Sequence, residues 1–127
     1  MPTRSGRILL VEDDLLIQML AIDLLESLGF TVETAASATE AMGKVKLNGD
    51  LEAAIVDIGL PDRKGDVLVG EIRAIHPSMP IVIASGYGDP ATRKRFKDDN
   101  RIAFLGKPYG TDELKAALAV LDVERQA

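Results

Sequence analysis

The 127-residue sequence has no cysteine and no tryptophan, and only 4% of its residues are aromatic. Without thiols it can form neither disulfides nor thiolate zinc sites, a composition that suits a reducing cytoplasm. No apolar run approaches the ~20 residues of a membrane-spanning helix, and the leading MPTRSGR carries no apolar signal core. The expectation is a soluble, cytoplasmic chain with no membrane partner. Cations are also in deficit, with 15 Lys and Arg against 20 Asp and Glu for a net charge of −5. Phosphate backbones require a basic footprint, so nucleic acid is excluded as a partner. The length fits one domain (residues 1–127, core about 7–121), able to bury roughly two-thirds of its unfolded surface. Neither internal repeats nor low-complexity segments are present.

What the sequence does have is a carboxylate at the end of a buried strand. In AAIVDIGLPDRKG, residues 53–65, four small or β-branched apolar residues precede Asp57, and Gly59 and Pro61 then break the strand. An acid there is costly unless it sits at the carboxyl edge of a parallel sheet, where ligand crevices form, or is neutralised by a cation.

The rest of the chain repeats this plan. RILLV (Arg7–Val11) ends in Glu12, Asp13 and Asp14. A helix is predicted over 15–28 with Ile17, Leu20, Ala21, Leu24, Leu25 and Leu28 inward and Gly29 as its stop, leaving Leu15, Met19 and Ile22 outward. Residues 30–35 alternate like a half-buried strand. Ser37 and Glu40 form a capping box before a helix with Ala41, Met42, Val45 and Leu47 as its stripe. After the central strand, Asp66 is expected to cap a helix burying Val67, Leu68, Ile72 and Ile75, ended by His76 and Pro77. PIVIA (80–84) is a further apolar strand with Ser85 at its end. The turn GYGDP at 86–90 is expected to be mobile, and the helix after it marginal, with only Ala91 and Phe96 to bury. Residues 102–105 form the fifth strand, and a last helix from Thr111 buries Leu114, Ala117, Leu118 and Leu121. Five alternations of short apolar strands with helices predict a doubly wound parallel sheet covered on both faces.

Such a sheet delivers Glu12, Asp13, Asp57, Ser85 and Lys107 to one crevice. Clustered carboxylates repel one another unless a hard divalent cation joins them, and Mg²⁺ fits that need. An ammonium and a hydroxyl beside a metal and one nucleophilic carboxylate suit a phosphoryl group, whose oxygens need cations and donors during transfer. His76, the sole histidine, reads as a helix-end cation, and the run Arg93, Lys94, Arg95 and Lys97 as a solvated face.

VEDD at 11–14, VDIGLP at 56–61, ASG at 84–86 and GKPY at 106–109 together resemble the receiver domain of bacterial two-component response regulators. That resemblance implies a flavodoxin-like (βα)5 fold with strand order 2-1-3-4-5. It also implies phosphorylation of Asp57 by a histidine kinase or histidine phosphotransfer protein. Mg²⁺ would be held by Asp13, Asp57, the backbone carbonyl of Gly59, and Glu12 directly or through water. Lys107 would pair with the phosphoryl group, Ser85 would hydrogen-bond it, Pro108 would be cis, and Phe104 would change rotamer on activation. The chain would catalyse its own phosphorylation and dephosphorylation, and would not be a metabolic enzyme.

Ser85 stands where threonine is commoner, and Phe104, without a hydroxyl, leaves packing alone to carry a signal. Ser85, Gly86 and Tyr87 are similar to the subgroup whose fourth strand ends in Ala, Thr, Gly, Tyr. The outward patch of Leu15, Met19 and Ile22, next to the acids, is the expected docking site for the phosphodonor. A stand-alone regulator is expected, its output another protein or a drain for phosphate, as a monomer or a phosphorylation-linked dimer. A haloacid dehalogenase-type phosphatase would need an acid where Gly59 stands. The remaining alternative is a degenerate receiver that only binds proteins, against which the full acid, hydroxyl and lysine set speaks.

Overall fold

The computed structural model describes residues 6–86 and 90–121. Most of the turn expected at 86–90, Tyr87 included, and the end of the chain beyond Leu121 lie outside the described residues. The elements are β1 (Arg7–Val11), α1 (Leu15–Ser27), β2 (Thr31–Ala35), α2 (Ala38–Leu47), β3 (Ala53–Asp57), α3 (Gly65–Ile75), β4 (Ile81–Ser85), α4 (Pro90–Arg95), β5 (Ile102–Gly106) and α5 (Thr111–Val120). All five strands pair in parallel in the order β2-β1-β3-β4-β5. This is the flavodoxin-like arrangement that the sequence implies.

Strand side chains alternate between the two faces, so each interior strand feeds two cores. Leu9, Val11, Ala54, Val56, Ile81 and Ile83 face the layer of α2 and α3, where they meet Val45, Leu68 and Ile72. Ile8, Leu10, Ala53, Ile55 and Val82 face the layer of α1 and α5, against Leu25, Leu114 and Leu118. Fully burying one such aliphatic side chain is worth about 1.5–3 kcal/mol, which explains why β1, β3 and β4 are apolar on both faces. β2, at the edge, is more open to solvent, with Thr31 exposed, the next three residues half-buried and only Ala35 buried.

The helices depart from the predicted faces in places. In α1 only Ala21 and Leu25 are fully covered; Leu20, expected inward, is 57% exposed, while Ile22, expected outward, packs against the core. The helix LLIQMLAIDLLES is apolar on nearly every side, so its periodicity fits two stripes, and the small Ala21 decides by letting the helix approach the sheet closely. Leu47 is 84% exposed at the last turn of α2. α3 starts before Asp66, with Lys64 in the cap position and no side-chain cap; it buries Leu68, Val69 and Ile72, leaving Val67 and Ile75 exposed. Asp66 instead pairs with Arg95 at 3.1 Å. α4 is only six residues long and buries Thr92, not Ala91. Phe96 is partly buried against the α2–α3 layer. The capping box of α2 forms with one change: Ser37 accepts from Glu40 N, and Glu40 accepts from Ala36 N, not from Ser37 itself.

Candidate functional site

Parallel pairing brings every strand's carboxyl end to one edge. Val11 lies opposite Val56, so the next residues, Glu12 and Asp57, emerge side by side. Asp57 in turn lies opposite Ala84, and Ser85 opposite Gly106. The Lys107 backbone N–H donates to the Ser85 carbonyl at 2.7 Å. From that point its side chain crosses back over the edge, and Nζ donates to Asp57 Oδ1 at 2.9 Å and Glu12 Oε1 at 3.1 Å. The Lys107–Pro108 peptide is cis, as expected. Glu12 and Asp57 are 3% and 7% exposed, whereas Asp13 is open to solvent. Ligand oxygens of Glu12, Asp13 and Asp57 all lie within 4.8 Å of one another.

Electrostatically the edge is short of positive charge. Burial raises the Glu12 carboxyl; a hydrogen bond from Asp14 N opposes this, the Asp57 charge adds to it, and the net pKa lies above the ordinary 4.5. Burial alone would lower the Lys107 ammonium, but its hydrogen bonds to Asp57 and Glu12 prevail and hold it above the ordinary 10.5. Burial first, and then the Glu12 charge, raises the nearby Tyr109 phenol, which stays neutral. Counted as formal charges, three carboxylates facing one ammonium leave two negative charges unbalanced. The Gly59 backbone passes beside them: a Cβ there would sit 3.7 Å from Asp57 Oδ2. Hard oxygen donors with a double charge deficit fit Mg²⁺.

A raised carboxyl is a destabilising one once ionised. The penalty is absent below its unfolded value near 4.5 and complete above its folded pKa. Glu12→Gln is therefore expected to melt at or above the wild-type temperature at neutral pH without Mg²⁺, yet to bind Mg²⁺ more weakly; paired melting curves with and without the ion check both signs.

Residues outside the acid, hydroxyl and lysine set hold this edge in place. Asp14 caps α1 by accepting from Leu16 N at 2.9 Å and Ile17 N at 3.1 Å. Asp62, in the loop after Asp57, caps the neighbouring helix α2, accepting from Ala38 N, Thr39 N and Thr39 Oγ1 at 2.8–2.9 Å. Those backbone donors hold its carboxyl far below the ordinary range. Arg63 ties the same loop to Glu71 of α3 at 2.6 Å and to Thr39 at 3.1 Å. Gly65 packs directly beneath the Asp57 carbonyl. A glycine as first residue of a helix was the available signal for that close approach.

Phe104 is partly buried on the α2–α3 side, and the Arg93 guanidinium stands 4.7 Å above its ring centroid. The cationic run is thus not merely solvated: Arg93 covers Phe104, and Arg95 covers Phe96 at 5.0 Å. On α1 the exposed apolar residues are Leu15, Leu16, Met19 and Leu20. Ile22, expected among them, belongs to the core. Beside this strip a groove of about 330 Å³ opens between α1 and the loop after β5, with Ile17, Leu24, Pro108 and Tyr109 in its walls. Among the described residues, no helix is long and apolar enough to cross a membrane.

The family model described as "Response regulator receiver domain" matches residues 8–119. The chain is 33% identical over 111 residues to the sensor kinase CckA of Brucella abortus, covering 87% of this chain and 12% of that protein. It is likewise 33% identical over 118 residues to the transcriptional regulatory protein KdpE of Staphylococcus aureus, covering 93% of this chain and 50% of that one. The chain thus spans half or less of either relative. Among solved structures, a receiver domain protein from Clostridium thermocellum superposes with a TM-score of 0.84 at 28% identity, covering 91% and 94% of the two chains. A CheY-like receiver from Methanospirillum hungatei gives 0.80 at 32% identity, covering 91% and 93%.

Proposed function

Because the chain belongs to the response regulator receiver domain family, we propose that it accepts a phosphoryl group on Asp57 from a phosphohistidine of a kinase or phosphotransfer protein in the cytoplasm. The observation that carries this reading is the Lys107 ammonium bound to Asp57 and Glu12 within the three-carboxylate cluster. A buried acid so placed is both a nucleophile and the centre of a site for phosphoryl oxygens.

In the transfer, an Asp57 carboxylate oxygen forms a bond to phosphorus as the phosphorus–nitrogen bond of the donor breaks, and the imidazole leaves with the electron pair. Glu12, Asp13, Asp57 and the Gly59 carbonyl would hold Mg²⁺, which when bound supplies charge neutralisation for the phosphoryl oxygens. Lys107 exchanges its Asp57 contact for a phosphoryl oxygen, and the Ser85 hydroxyl donates to another. Hydrolysis is the same displacement with water as nucleophile, returning Asp57. The chain acts on itself in both steps and turns over no separate substrate.

The switch runs from Ser85 to Phe104. When Ser85 is drawn toward the phosphoryl group, β4 and β5 adjust at the Ser85–Gly106 pair, and Phe104 repacks beneath Arg93. That changes the surface shared by α4, β5 and α5, the site for a downstream protein.

Phosphodonor docking falls on the exposed strip of α1 and the adjoining groove, which is apolar and borders the acids. Leu15→Gln with Met19→Gln is expected to slow transfer from a phosphohistidine protein about tenfold or more, the scale of a lost interface anchor, and to leave modification by a small acyl phosphate unchanged. Equal losses with both donors would contradict the docking assignment. The direct test of the reaction is transfer from a phosphohistidine protein in Mg²⁺, with label on wild type and none on Asp57→Asn.

A further inference from the structure

We propose that Gln18 is a positioning residue for the metal cluster, acting through the backbone between its first two acids; the assignment rests on the metal reading above. Gln18 Nε2 donates to the Glu12 carbonyl at 2.8 Å, reaching back six residues from the second turn of α1. That carbonyl and the Asp13 N–H belong to one planar peptide unit, so holding the oxygen fixes the plane from which the Asp13 side chain departs.

Asp13 depends on such help. Glu12 and Asp57 are buried and bonded to Lys107, whereas Asp13 is exposed. Its direction is set by the main chain on either side. Before it, the Glu12 N–H donates to Ala35 O at 2.9 Å and the Glu12 carbonyl accepts from Gln18. After it, the Asp14 N–H donates to Glu12 Oε2 at 3.1 Å, and Asp14 caps α1. Asp14 ties the later side of this turn to α1 through Leu16 N, Ile17 N and the Gln18 N–H, and the Gln18 side chain ties the Glu12 side of it to the same helix. A glutamine is also unneeded there for burial: it shares the inner side of the helix with Ala21, Ile22 and Leu25, where an aliphatic residue would suit the core as well.

Groups bonded to metal ligands set ligand orientation, and their loss weakens metal binding about 10- to 100-fold. The test is Mg²⁺ titration of the full chain, followed by amide resonances near Asp57, for wild type, Gln18→Met and Gln18→Ala. Methionine keeps length and apolar bulk without a donor. Both variants are expected to bind Mg²⁺ about tenfold more weakly, with metal-free melting temperatures close to wild type for Gln18→Met. Affinity within twofold of wild type in Gln18→Met overturns the assignment, even if Gln18→Ala binds poorly, because packing alone would then account for the residue. Failure of wild type itself to bind Mg²⁺ overturns the assignment together with the metal reading beneath it.

Discussion

Gly65→Ala is expected to cost about 3 kcal/mol of folding stability, at the upper end for an overpacking substitution. An added Cβ would lie 2.3 Å from the Asp57 carbonyl oxygen and 2.8 Å from Ile58 Cα. Both are backbone atoms, so no rotamer change relieves the overlap. The Gly65 N–H donates to Ile58 O at 2.9 Å, which holds the start of α3 against the end of β3. Alanine must either break that bond or push Asp57 out of register with Lys107 and Glu12. The melting temperature should therefore fall by roughly 10 °C, and acyl-phosphate modification should slow in parallel. Gly43, in the middle of α2, has nothing within 4 Å of an added Cβ. Gly43→Ala should instead stabilise by up to about 1 kcal/mol through helix propensity. An unchanged midpoint for Gly65→Ala would contradict the close approach.

The second large effect lies at the opposite edge of the sheet, away from the acids. The Arg73 guanidinium spends its donors on four groups: Nε and Nη2 on the Asp99 carboxylate at 2.7 and 3.2 Å, Nη1 on the carbonyls of Met79 and His76, and Nη2 on that of Arg101. It thereby joins the end of α3 to the loops entering β4 and β5. Arg73→Met keeps the aliphatic stem but takes the cation away from a partly buried carboxylate and the Arg73 donor away from the Met79 carbonyl, an expected cost of about 2–4 kcal/mol. The Arg73 hydrogen bond holds the Asp99 carboxyl below its ordinary 3.8. A depressed carboxyl contributes stability above its unfolded pKa and loses it as pH falls through the folded value. The gap between wild type and Arg73→Met should accordingly narrow below about pH 4. Urea midpoints at pH 7 and pH 3 check it; a gap that widens in acid would be the wrong sign.

Much of this molecule is legible in its sequence, because strand burial and strand ends are local signals. The runs RILLV, AAIVD and IVIAS are apolar on both faces, so the sheet, its two layers and the crevice with Glu12, Asp57, Ser85 and Lys107 follow from alternation alone. α1 is less legible. With apolar residues on all sides, Leu20 and Ile22 can be exchanged between faces without violating periodicity, and only the sheet decides. Least legible are contacts that depend on distance in space and not on residue type: Gly65 beneath Asp57, Arg73 on Asp99, Asp62 capping a helix whose first residues lie 24 positions earlier, and Arg93 over Phe104. Asp66 shows the converse, since a residue with ideal capping chemistry pairs with Arg95 once α3 begins two residues sooner.

The central claim is that Asp57 is the phosphoacceptor of a Mg²⁺-dependent site. Its most direct test is the intact mass of the full chain after incubation with a small-molecule acyl phosphate. Wild type with Mg²⁺ should gain one labile phosphoryl group, while metal-free wild type and Asp57→Asn with Mg²⁺ should gain none. Equal labelling of wild type and Asp57→Asn, or no labelling of wild type by acyl phosphate or by a phosphohistidine protein, would contradict the account.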